Sequence, residues 1–330
     1  MRNTASLLAS LGVLLAFAYA GPAWAQNARS WVASDGSDAN PCTRANPCAT
    51  FIHALLKTNA GGEINCVDQG DYGGNDLFIN KSITIDCEGV QARFGFAGVA
   101  AIAIVVSASP TDVVVLRGID IYGSGVADLG IDFAGGAALH IEKCIIRDFA
   151  TGSGGWGIFD EAAGATPSVL FVSDTVLENN GTASSGGGID IQPITSGSTS
   201  KVVLNRVEAR NNFFGIKADG TMVSGGVINM TVRDSVSSGN ASNGIVGITN
   251  AAGAAIVMMI DHSASSHNAA GFGVLADGPN VTIRLASSSV AGNIFGVGAG
   301  LGGVLQSYGT NEINGNSSDG IASLTPIGLH

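Results

Sequence analysis

Between Asp174 and Ile321 one phrase is written six times, and a chain that repeats itself in this way has few folds open to it. Each copy has a short apolar run, a Ser, Asp or Arg corner, an Asn, a few small residues, then Gly followed by Ile, Phe or Val. The asparagines are Asn180, Asn212, Asn240, Asn268, Asn293 and Asn316, spaced by 32, 28, 28, 25 and 23 residues. The glycine phrases are Gly188-Ile189, Gly215-Ile216, Gly244-Ile245, Gly271-Phe272 (or Gly273-Val274), Gly296-Val297 and Gly320-Ile321. A period of this length, built from strand-like runs and turns without helical segments, marks a solenoid whose units each bury a face against the next. Two-residue hairpin turns are scarce and the unit has room for several short strands, which favours a parallel β-helix over an antiparallel sandwich. Stacking places like over like. The Asn column then supplies left-handed turns and amides that bond from coil to coil, and the Gly before each Ile permits a sharp turn into an inward-pointing strand.

The period extends upstream, through Gly130-Ile131 and Gly157-Ile158. Short Val- and Ile-rich strands are expected at Ile64–Val67, Ile83–Cys87, Ala101–Val106, Val113–Ile121 and Leu139–Ile146. From Glu63 to about Leu324 the chain holds roughly ten or eleven coils of about 25 residues. Ahead of them, Phe51, Ile52, Leu55 and Leu56 fall at helical spacing between Ala49 and Thr58, before Gly61-Gly62. A helix there would plug the open end of the solenoid, whose terminal coil otherwise offers unpaired backbone. A repeat array is one continuous core whatever its length, so the expected division is a leader at 1–25, a loop and capping helix at 26–62, and the β-helix at 63–330.

The leader is read from Arg2, the apolar run Leu7–Ala20 and the small-residue pattern Ala23-Trp24-Ala25. The run is too short to span a bilayer, so a secreted chain cleaved near Ala25 is expected, with no integral membrane segment in its mature form. Loss of Arg2 moves the formal charge from -11 to -12. Such a chain has no basic stripe with which to neutralise phosphates, which excludes nucleic acid as a partner class. With 48 Gly, 45% apolar and only 12% charged residues, the core is built from small and aliphatic side chains.

Export changes how the five cysteines are read. Cys42 and Cys48 lie in Asn-Pro-Cys triplets that turn the chain back on itself, which favours a disulfide. Cys66 and Cys87 end matching phrases one coil apart, Ile64-Asn65-Cys66 and Ile85-Asp86-Cys87, where a bridge and a buried thiol pair both fit. Cys144 is left as a buried thiol without the His or Asn neighbours of a nucleophile.

With Leu116-Arg117-Gly118-Ile119-Asp120-Ile121, Leu139-His140-Ile141-Glu142-Lys143-Cys144 and the six Asn and Gly-Ile phrases, the chain from Trp31 onward resembles a known superfamily. It is that of the right-handed parallel β-helix proteins of pectate-lyase-like type, particularly secreted bacterial members without an assigned activity. The resemblance implies an all-β, right-handed parallel β-helix. It also implies chemistry on acidic polysaccharides, either elimination with Ca²⁺ and a basic residue or hydrolysis with paired carboxylates. The chain has no Asp-Asp pair, Gly-His-Gly or Arg-Ile-Lys of the polygalacturonase branch, and no Asp-Pro-His-Asp of the alginate epimerase kind.

Aligning the coils on the glycine of each phrase gives the outward-pointing positions two and four residues on. The first column is Asp132, Phe159, Asp190, Lys217, Val246, Leu275, and the second Ala134, Glu161, Gln192, Asp219, Ile248, Asp277. Asp190, Lys217 and Asp219 are the candidate catalytic residues, with Asp132, Glu161 and Gln192 as candidate substrate contacts. Carboxylates about 4.8 Å apart raise each other's pKa or share a cation, which makes Asp190 and Asp219 candidate Ca²⁺ ligands. Lys217 would serve as a base of lowered pKa or as a counter-charge to a substrate carboxylate. The bland reading of the same residues is the solvated face of a solenoid. His140, His262 and His267 lie on different coils without metal-ligand spacing, and Trp156, between Gly155 and Gly157, either stacks on a sugar or covers a glycine turn. The expected function is binding of an extracellular polysaccharide, with elimination as the reaction if there is one. The alternative is a non-catalytic surface, adhesive or structural rod.

Overall fold

The computed structural model describes residues 27–98, 102–152, 154–161 and 167–329. The expected leader lies outside them. Among these residues three parallel sheets of twelve, nine and ten strands wrap one core, with neighbours in each sheet one coil apart in sequence. The nine-stranded sheet sets about nine full turns, and the twelve-stranded sheet carries extra strands at both ends. Coil length varies from 23 to 32 residues between successive ladder asparagines, so dividing the chain by a fixed period of about 25 gives a somewhat different number.

The core is a stack of aliphatic rungs. On the twelve-stranded sheet Ile64, Ile85, Leu116, Ile141, Val172, Leu204, Val232, Ile260 and Leu285 lie one above another, all buried. Each such burial is worth about 2 kcal/mol. The runs Val113–Ile121 and Leu139–Ile146 are each divided. Gly118 (φ 69°) and Lys143 (φ 53°) turn the chain in the left-handed region, sending Val113–Arg117 and Ala138–Glu142 into one sheet and Ile119–Tyr122 and Ile145–Arg147 into another.

The Asn column forms a continuous ladder. The backbone N–H of Asn180 donates to Asn212 Oδ1 at 2.9 Å, Asn212 to Asn240 at 3.0 Å, Asn240 to Asn268 at 3.2 Å, and Asn268 to Asn293 at 3.0 Å. Asn293 donates to Asn316, which donates to Asp319 Oδ1. The left-handed residues are not these asparagines but those just before them, Asn179, Asn211, Gly239, His267, Gly292 and Gly315. The amide is therefore selected for its bonds and its predecessor for the turn.

Of the glycines in the Gly-Ile phrases, Gly320 (φ 72°) makes its turn in the left-handed region, and the others differ from expectation. Gly188, Gly244 and Gly273 are not in the left-handed region; a Cβ on each would lie 2.6, 2.8 and 2.8 Å from the carbonyl oxygen of Gly215, Gly273 and Gly296 respectively. Close approach of the next coil, not turn geometry, requires glycine there.

At the N-terminal end the helix Phe51–Lys57 is capped by Thr50, whose hydroxyl accepts from His53 N–H at 3.3 Å. Lys81 Nζ donates to the carbonyls of Leu55 and Thr58 at its other end. Phe51, fully buried, packs edge-on against Tyr72 and stacks on Phe94. Both cysteine pairs are disulfides, with Cα separations of 4.7 Å for Cys42–Cys48 and 4.9 Å for Cys66–Cys87, and Cys144 is a buried thiol. No helix among the described residues is long and apolar enough to cross a membrane.

Candidate functional site

The outward column read from the glycines is the column the sheet makes. Asp132, Phe159, Asp190, Lys217, Val246 and Leu275 are successive rungs of the nine-stranded sheet. Asp219, Ile248 and Asp277 stack likewise in the second column. Gln192 lies one coil below Asp219 and donates from Nε2 to Asp219 Oδ2 at 3.1 Å.

These rungs do not form a solvated face. Asp190 is 1% exposed, and Asp132 and Asp219 are each 6% exposed. Lys217 Nζ lies 2.7 Å from Asp219 Oδ2 and 3.3 Å from Asp190 Oδ2. Thr221 adds hydroxyl and backbone N–H bonds to Asp219 Oδ1. Burial works against the charge on Asp219, but Lys217 and Thr221 outweigh it and hold its pKa below the usual carboxylate range. Burial also works against the Lys217 charge, and the two carboxylates outweigh it, raising the lysine pKa. Lys217 is therefore an ammonium, not the lowered-pKa base that sequence spacing allowed.

Asp190 is the member that titrates near neutrality. Burial pushes its pKa up to about 7, Lys217 opposes this, and the neighbouring charges of Asp219 and Asp160 reinforce it. Asp190 Oδ1 is buried without a hydrogen-bond partner among the described residues. Asp132, one rung beyond Phe159, is also pushed up to about 7, by burial and then by Glu161, and burial raises Glu161 as well.

A cavity of about 330 Å³ opens onto this arrangement, lined among others by Asp128, Trp156, Phe159, Asp190, Gln192 and Lys217. Its aromatic wall is Trp156 stacked on Phe214, with ring centroids 6.2 Å apart and Lys217 Nζ at 5.6 and 5.9 Å from the two rings. Gly187 lies on the rung between them, where a Cβ would meet Trp156 Cζ3 at 2.8 Å. Trp156 thus covers a glycine and walls a cavity at once. The sequence carries this signal in the residue just before each phrase glycine, which runs Trp156, Gly187, Phe214.

The Ca²⁺ expected at Asp190 and Asp219 does not fit these side chains. The Lys217 ammonium spans the two carboxylates at the place a cation would take, and calcium wants six to eight oxygens. No group of three or more His, Cys, Asp or Glu among the described residues converges on a metal position. The histidines are dispersed: His140 stacks on Phe171, and His262 pairs with Asp261.

No known family profile matches the chain, and no curated protein matches it in sequence. Among solved structures it is similar to the pectate lyase Pel9A, with a TM-score of 0.57 and 16% identity over 86% of this chain and 74% of that one. A rhamnogalacturonan lyase aligns with a TM-score of 0.46 and 13% identity over 81% of this chain and 75% of that one. At 16% identity the likeness to the pectate lyase is one of fold, a parallel β-solenoid.

Proposed function

We propose that the chain binds an extracellular polysaccharide across the outer face of the nine-stranded sheet and cleaves uronate chains there by β-elimination. The observation that carries this reading is the buried Asp190–Lys217–Asp219 group facing a cavity with an aromatic wall. Buried ionisable groups of shifted pKa in a concave site are where chemistry is expected. Two disulfides fit an oxidising compartment, and the pectate lyase of similar fold gives a precedent for elimination on such a scaffold.

In this reading Lys217, with the Gln192 amide beside it, offsets the charge of the uronate carboxylate and so acidifies the proton on the adjacent carbon. Asp190 takes that proton, since a carboxylate with a pKa near 7 is a stronger base than an ordinary one. The carbon–oxygen bond to the neighbouring sugar breaks as the double bond forms, and the departing oxygen takes a proton from water or from Asp190. No step requires a metal. The half-exposed ring of Phe159, one rung from Asp190, offers a stacking surface.

The test is incubation with a panel of uronate polymers, with and without chelator, reading unsaturated product ends. Expected are product in both conditions, a rate that rises as pH passes through 7, and a loss of about 100-fold or more in Lys217→Met and Asp190→Asn. Neither product nor binding across the panel removes the polysaccharide reading. Product with Lys217→Met at full rate removes the site. The rival reading, a non-catalytic rod, draws on one observation: the Lys217 charge is already met on both sides, as a purely structural ladder also demands.

A further inference from the structure

A second cavity, of about 870 Å³, lies elsewhere, over the first rungs of the ten-stranded sheet. It arises from an irregularity in the corners. Later coils turn there on one left-handed residue, Lys143, Asp174 or Arg206, whereas the second coil inserts the loop Glu88–Gln91. Between them the corner residue is Gly118, which has no side chain to fill the space, and Lys143 reaches past it to an ion pair with Glu88. The floor below is the rung series Asp71, Arg93, Asp120 and Ile145.

The charges of this groove are largely matched to one another. Arg93 Nε donates to Asp120 Oδ2 at 3.2 Å, and Arg147 takes both oxygens of Asp120 at 2.8 and 2.9 Å. Asp71 accepts the N–H groups of Gly73 and Gly95. No lone cation stands ready for an anion, and no carboxylate cluster for a metal. What remains is an array of donors and acceptors held in fixed planes, with exposed amides at the edge and the 40% exposed Ile145 as an apolar end to the floor. Such a lining suits a ligand with many hydroxyls, some apolar C–H surface and no net charge. We propose that this groove binds a segment of a neutral oligosaccharide, independently of the Lys217 cavity.

The experiment is calorimetric titration of the full chain with neutral gluco-, xylo- and galacto-oligosaccharides, repeated in low and high salt. Expected is binding whose Kd changes less than about twofold with salt, because an uncharged ligand has no screened attraction to lose. Ile145→Asp should weaken it by about tenfold, and Gln91→Trp, at an exposed position, should fill the groove and abolish it. Lys217→Met should leave it unchanged. The inference falls if no neutral oligosaccharide binds, if binding is lost in high salt, or if Lys217→Met abolishes it while Ile145→Asp and Gln91→Trp do not. These outcomes are separate from the fate of the elimination assay.

Discussion

Replacing Asn240 by alanine is expected to lower the free energy of unfolding by roughly 4 kcal/mol. Asn240 is fully buried in the middle of the amide ladder. Its Oδ1 accepts from the Asn212 backbone N–H, and its Nδ2 donates to the Ala209 carbonyl, Ser237 Oγ and Asn268 Oδ1. Alanine leaves the Asn212 N–H and the Ala209 carbonyl buried without these partners, at about 1 to 3 kcal/mol each, and adds a small void. Asn229→Ala, at an exposed position of the twelve-stranded sheet, serves as the control and should change stability by less than about 0.5 kcal/mol. Urea midpoints compare the two, and equal midpoints would show that the ladder is ornamental to stability.

Asp132→Asn is expected to make the protein more stable at pH 8, by about 2 to 4 kcal/mol, and to leave it unchanged at pH 4. Asp132 is 6% exposed, and its buried Oδ1 has no hydrogen-bond partner among the described residues. Burial first, and Glu161 second, raise its pKa from 3.8 to about 7. Between those two values the folded state holds a proton that the unfolded state has released. Stability from this group is therefore full below about pH 4, falls as pH rises through 7, and is flat beyond. Asparagine has no charge to bury, so the difference between variant and parent should grow across that window. Asp68, Asp112, Asp174 and Asp219, whose pKa values are lowered, lose their contributions in the opposite direction as pH falls. For that reason the difference between the two proteins, not either profile alone, is the quantity to measure. A variant no more stable at pH 8 than its parent would mean that water or a neighbouring group already satisfies Asp132. A carboxylate that weakens the fold at neutral pH fits a place where binding or chemistry needs it.

The sequence made the register of the candidate site fully legible. Period-2 alternation counted from an invariant internal landmark, the phrase glycine, gave Asp132, Phe159, Asp190 and Lys217 as stacked rungs, and the sheet pairs them so. What it concealed was burial. Asp190 is 1% exposed between Phe159 and Lys217, and alternation carries no information about depth. The same limit misdirected the reading of Lys217. Spacing puts a lysine among carboxylates, but only the distances of 2.7 and 3.3 Å decide that attraction outweighs desolvation. The corners were hidden for another reason. Gly118 and Lys143 end strands through backbone conformation alone, and a lysine in the left-handed region leaves no trace in hydrophobic pattern.

The amide ladder has a direction. Every rung from Asn180 to Asn293 receives an acceptor from the coil ahead and offers an equivalent one to the coil behind, and only Asp319, an acceptor with no amide to pass on, ends it. A coil bounded by two such rungs is therefore an interchangeable part. Excising residues 240–267 would bring Asn268 to the place of Asn240 with the same offer to Asn212, because the two stand 28 residues apart. The amide ladder thus leaves the rod open to shortening or extension in whole coils, with new side-chain pairs only at the junction, where Val227–Arg233 would meet Val281–Ala286, and with the cavity at Lys217 kept on a scaffold of adjustable reach.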